Sequence, residues 1–108
     1  MQTDQVEYEQ MPKIQTVVRY LWDATALICL ENGPLRYTEL HRTMIASTER
    51  YLSDSELTHT RHRLVRSRMI SEHPTGNGGK AYCITEAGQA RLRDIRVLLE
   101  IAPRLGPL

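Results

Sequence analysis

Apolar residues recur at helical spacing from Ile14 to Leu30: Ile14, Val17, Val18, Leu21, Trp22, Leu27, Ile28 and Leu30. Side chains spaced this way share one face of a 3.6-residue turn, so the pattern predicts an amphipathic helix. The following "ENGP" should end it, because Gly33 permits a left-handed cap and Pro34 cannot continue the ladder. A shorter helix is expected from Tyr37 to Ile45, with Leu40 and Met44 one turn apart, although "ASTERYL" offers no glycine or proline to mark its end. A third helix opens at Ser53, where Glu56 three residues on completes a capping box. Asp54 and Glu56 suit its positive N-terminal end, and Arg66 and Arg68 suit the opposite end. Leu57, Thr60 and Leu64 mark its inner line, which turns Asp54, Ser55, Thr58, His59 and His62 outward.

The period then shortens. Met69–Glu72 and Ala81–Thr85 are short segments separated by Pro74, Gly76, Asn77, Gly78 and Gly79, and Tyr82 and Ile84 alternate with Cys83. Strand, glycine-rich loop and strand read as a hairpin. A last helix carries Leu92, Ile95, Leu99 and Ala102 as a seam that Pro103 closes. The fold expected is mainly α with a small β-hairpin, a winged helix-turn-helix in the order helix, helix, helix, wing, helix. Its expected divisions are a flexible arm at 1–12, a DNA-binding domain at 13–88 and a dimerisation helix at 89–105.

Size and charge sharpen this picture. At 108 residues the chain is one domain with room for a single core. The net charge of +1 says little, but its distribution is uneven. Residues 1–12 carry Asp4, Glu7 and Glu9 without a basic residue, whereas 50–68 carry five Arg against Asp54 and Glu56. A nearly neutral chain can therefore present one basic face. No apolar run reaches the roughly 18 residues of a membrane span. The acidic start is unlike a signal peptide, and Cys29 and Cys83 stand far apart, so a cytoplasmic protein with reduced thiols is expected.

"WDATALICLENGPLRYTEL", Trp22 to Leu40, resembles the opening of HxlR-type regulators: Trp, an apolar helix, Gly-Pro-Leu-Arg, an aromatic residue, then Glu-Leu. Trp22, Leu27, Leu30, Gly33, Pro34, Leu35, Arg36, Tyr37, Glu39 and Leu40 match without gaps. "LSDSELTHTRHRL" and "AYCITEAG" resemble that family's recognition helix and its exit from the wing. Similar wings occur in MarR-type and PadR-type regulators. The chain departs from the pattern in three places. The step from Leu40 to Leu57 is enlarged, Arg61 stands where the family has an apolar residue, and Arg68 replaces a capping glycine.

These features predict a sequence-specific regulator of double-stranded DNA, with residues 53–68 in the major groove and the wing at 73–81 on the backbone. Ser53, Ser55, Thr58, His59 and His62 can bond base edges or phosphate, and Arg63, Arg66, Asn77 and Lys80 can hold the backbone. The resemblance implies a further backbone contact at Arg36. A homodimer is expected through Val17, Leu21, Leu92, Ile95, Leu99 and Ala102, on the premise that so short a chain has little core left to cover the final helix. No metal or other cofactor is expected: His59 and His62, three residues apart, lack a third ligand. Nor does any nucleophile–base pairing or cofactor motif suggest an enzyme. Some HxlR-type proteins sense oxidants through cysteine, but Cys29 in an apolar helix and Cys83 on a strand read as inert packing. The competing reading is a winged-helix module that docks an acidic protein partner and does not bind DNA specifically.

Overall fold

The computed structural model describes residues 19–101. The arm expected at 1–12, together with Val17 and Ala102, lies outside the described residues. Helix α1 is described over 19–30. It is followed by β1 (Leu35–Arg36), α2 (Tyr37–Thr48), α3 (Asp54–Arg66), β2 (Ile70–Pro74), β3 (Lys80–Ile84) and α4 (Glu86–Ile101).

The periodic apolar positions converge on one core. Trp22, Ala26, Leu27 and Leu30 of α1 meet Leu40 and Met44 of α2, Leu57 and Leu64 of α3, and Ile70, Tyr82 and Leu92. Thr60, between the two α3 leucines, is 1% exposed, as the inner line requires. The wing is antiparallel, with Ile70 opposite Ile84 and Pro74 opposite Lys80. The sheet has three strands rather than the hairpin alone, in the order β1-β3-β2. β1 adds its two residues through Leu35 opposite Tyr82 and Arg36 opposite Ala81, so the chain just before α2 is stitched to the wing.

The enlarged step between α2 and α3 has a simple shape. Part of it extends α2 to Thr48, one turn beyond the expected end, and Glu49 closes the helix in the left-handed region at φ 55°. The rest is pinned, because Leu52 is fully buried and His41 Nε2 lies 2.6 Å from the Leu52 carbonyl oxygen. The step therefore hands α3 to its cap, Ser53, in a fixed position.

At the other end of α3 the chain turns through Arg68, whose φ is 62°. The Arg68 N–H donates to Val65 O at 3.0 Å and the Met69 N–H to Leu64 O at 2.9 Å, the bonding pattern of a Schellman cap. An arginine in this conformation is strained by its Cβ, and glycine would not be. Arg68→Gly is expected to stabilise the fold by about 0.5–1 kcal/mol, less than the full strain because glycine also loosens the unfolded chain. Denaturant unfolding would check this, and a destabilised variant would contradict it.

Helix α4 begins from Thr85, whose hydroxyl accepts from the Gly88 N–H at 3.1 Å and donates to the Arg68 carbonyl at 2.6 Å. Its first turns lie on the chain's own core. Leu92, which the sequence reading sets on a seam between copies, is 1% exposed inside this chain, and Ile95 packs against the same cluster. The premise that the core cannot cover Leu92 is thus corrected: Gly88 lets α4 settle close enough to bury it. Beyond Ile95 the apolar side chains Val97, Leu98, Leu99 and Ile101 are exposed. Arg96 also ties α4 to α1 by paired hydrogen bonds of 2.5 and 2.6 Å to the Glu31 carboxylate. This pairing holds the Glu31 carboxyl below its ordinary value.

Candidate nucleic-acid interface

The outer face of α3 carries its polar groups in two conditions. Ser55, His59 and His62 are exposed. Thr58 is half-buried, and its hydroxyl lies 3.1 Å from Tyr37 Oη. The same phenol donates to Asp54 Oδ1 at 2.7 Å, so the start of α2 is joined to the first turns of α3. Burial raises the Tyr37 pKa above its ordinary value, and the Asp54 carboxylate adds to that. The phenol therefore keeps its proton and remains a donor to Asp54. Asp54 faces outward as a hydrogen-bonded acceptor, whose charge the tyrosine partly occupies.

Ser53 acts as a cap: its hydroxyl accepts from the Glu56 N–H at 3.1 Å and donates to Glu56 Oε1 at 3.3 Å. Arg36, at the junction of β1 and α2, has an exposed side chain, and its backbone N–H donates to Glu39 Oε1 at 3.0 Å. On the wing, Asn77 is exposed in the five-residue turn that the Thr75 N–H to Gly79 O bond of 2.9 Å closes. Lys80 is exposed at the base of that turn and pairs with Glu72 at 3.2 Å.

Two of the expected backbone contacts point elsewhere. Arg63 donates to Asp23 Oδ1 of α1 at 2.7 Å and to Thr60 Oγ1 at 3.1 Å, so its charge is spent inside the helical bundle. Arg66 lines a groove between α1, the end of α3 and α4, beside Leu21, Leu98 and Leu99. This groove, of about 1090 Å³, is mostly apolar and lies apart from the strip formed by Arg36, outer α3 and the wing.

Glu72 and Tyr82 were not foreseen from the sequence as parts of the site, nor were the partners of Tyr37 and Arg61. The Arg61 guanidinium lies 5.8 Å from the Tyr37 ring centroid and 5.9 Å from that of Tyr82. It donates to Glu72 Oε1 at 3.2 Å and to Tyr82 Oη at 3.3 Å. α3 is not rotated to expel it; the wing supplies the aromatic and acidic surroundings that accept it. An arginine at an apolar position of the helix was the available signal, but its partners are 11 and 21 residues away.

Cys29 Sγ lies 3.8 Å from Ser47 Oγ, and burial raises its pKa, which keeps the thiol protonated and a weak nucleophile. Among the described residues no group of three or more His, Cys, Asp or Glu could hold a metal ion. No described helix is long and apolar enough to cross a membrane.

Three core helices, a wing paired to the strand before the second of them, and a capped third helix with an outward polar face define a winged-helix domain. Solved structures share this fold at low sequence identity. A transcriptional regulator from Clostridium thermocellum superposes with a TM-score of 0.74 at 18% identity, over 83% of this chain and 90% of that one. A PadR-like transcription factor from Bacteroides fragilis gives 0.78 at 12%, over 87% and 94%. The reduced form of the transcriptional regulator YodB from Bacillus subtilis gives 0.69 at 19%, over 88% and 93%. No curated protein matches the sequence. The model of the HxlR-like helix-turn-helix family matches residues 17–104, and the chain belongs to that family. It is a helix-turn-helix family, and the solved structures that share the fold include F93 from STIV, a winged-helix DNA-binding protein.

Proposed function

We propose that this chain is a sequence-specific, double-stranded DNA-binding regulator that works as a homodimer in the cytoplasm. α3 enters the major groove and the wing lies on the backbone. The observation that carries the reading is the division of α3: Leu57, Thr60 and Leu64 are buried, while Ser55, His59 and His62 present hydrogen-bonding groups to solvent. Ser and His groups on an exposed helix face can meet base edges, and Arg36 and Lys80 flank them with positive charge suited to phosphate.

Dimerisation through α4 is supported by the exposed Val97, Leu98, Leu99 and Ile101, which continue the apolar groove past Leu21. A surface of this kind is characteristic of a protein–protein contact. Two copies related by a two-fold axis would set their α3 helices about 34 Å apart and read a near-palindromic site.

Selection from random duplex DNA tests the reading. Enrichment of a motif with two related half-sites is the expected result. His59→Ala should then change the preferred sequence and cost about 1–3 kcal/mol at the original site, while Lys80→Ala should weaken all sequences alike. Failure to enrich any motif would favour the module that docks an acidic protein partner.

A further inference from the structure

Glu72, in the middle of β2, stands directly opposite Tyr82 of β3. One of its carboxylate oxygens accepts from Arg61 of α3 at 3.2 Å, and the other accepts from Lys80 Nζ, also at 3.2 Å. A single carboxylate thus joins the recognition helix to both strands of the wing. Tyr37 and Tyr82 flank the Arg61 guanidinium and fix its direction, an arrangement that suits arginine's planar cation.

Stability is a poor account of this arrangement. The Arg61 Nε is buried with no hydrogen-bond partner among the described residues. An incompletely satisfied, half-buried ion pair is seldom more stabilising than an apolar residue of similar size. What the pair supplies is position. The Arg61 and Glu72 side chains are 18% and 27% exposed, whereas that of Lys80 is 58% exposed. Water screens the lysine arm of the bridge more than the arginine arm, so the lysine arm yields first to a competing anion.

We propose that Arg61 and Glu72 form a clamp that positions the wing against the recognition helix, and that Glu72 holds Lys80 until DNA takes it. On docking, Lys80 exchanges the carboxylate for a phosphate, and Arg61 stays on Glu72. Arg61 thereby offsets a negative charge that would otherwise face the DNA backbone. Arg61 is a positioning residue here, and Glu72 sets how readily the wing's charge is released. The inference rests on the DNA-binding reading above.

The test uses the full chain, its selected duplex and a scrambled duplex of equal length. Dissociation constants come from fluorescence anisotropy, and thermal melts run alongside. Glu72→Gln keeps the side-chain shape, frees Lys80 and is expected to tighten binding to both duplexes about two- to five-fold. Arg61→Met should leave the melting temperature near that of the wild type. It should weaken the selected duplex about tenfold and reduce its advantage over the scrambled one. Adding Glu72→Gln to Arg61→Met should restore most of the lost affinity, because the unneutralised carboxylate is then gone. A merely structural role would move the melting temperature and show no such rescue on DNA. Unchanged or weaker binding by Glu72→Gln overturns the proposal, and this variant decides the matter even if Arg61→Met unfolds. Wild-type protein that binds neither duplex defeats the DNA-binding reading itself, and the clamp's role on DNA with it.

Discussion

Gly88→Ala is expected to destabilise the fold by about 3 kcal/mol, a large fraction of the stability of a domain of this size. In an ordinary exposed helix the same change would be favourable by about 1 kcal/mol, since glycine is the poorer helix former. Here the sign is reversed by space. A Cβ built on Gly88 falls 2.2 Å from the Met69 carbonyl oxygen and 2.7 Å from Ile84 Cγ1. Neither neighbour can easily withdraw. The Met69 oxygen accepts from the Thr85 N–H at 3.0 Å and lies equally close to the Thr85 hydroxyl, and Ile84 is held in the β2–β3 pairing opposite Ile70. Relief therefore requires α4 to move off the sheet, which uncovers Leu92. Circular dichroism melts would measure the loss, and a variant as stable as the wild type would mean that α4 does not dock in this way. The consequence reaches function, because α4 also carries the apolar residues proposed for the dimer.

How far the sequence could be read depended on whether a residue's partner is close by in the chain. The Ser53–Glu56 cap spans three residues, and Ser53 Oγ accepts from the Glu56 N–H as expected. The Glu56 carboxylate takes the Ser53 hydroxyl proton rather than completing the box at the Ser53 backbone N–H. The inward line Leu57, Thr60 and Leu64 follows from periodicity alone, and all three are buried. The end of α2 was not legible, because its terminator is Glu49 in a left-handed conformation that glutamate does not advertise. β1 is two residues long, too short to show any alternation. The fate of Arg63 was beyond reach as well: Asp23, its acceptor, lies 40 residues earlier, and nothing local distinguishes this arginine from Arg66. Arg61 was recognisable as an exception, but its resolution needed Glu72 and Tyr82 from the wing.

These placements also revise the charge available to DNA, and with it the second large effect. Arg63 is committed to Asp23, and Arg66 lies on the apolar groove. The exposed cations flanking α3 and the wing include Arg36 before α2, Arg68 just after α3 and Lys80 on β3. In a dimer, three from each copy would neutralise roughly six phosphates, and each releases about 0.9 of a counterion from B-form DNA. The logarithm of the association constant should then fall against the logarithm of salt concentration with a slope near −5, roughly a thousandfold between 50 and 200 mM. The net charge of the chain, +1, is too small to give this by bulk attraction, so a steep slope would report the local strip. An acidic protein partner carries no condensed counterion layer, and docking to it would respond less steeply. Anisotropy titrations across that salt range separate the two cases. A slope shallower than about −2 would remove phosphate contact as the source of affinity. A steep slope that Lys80→Ala reduces by nearly two, one for each copy, would tie it to the wing.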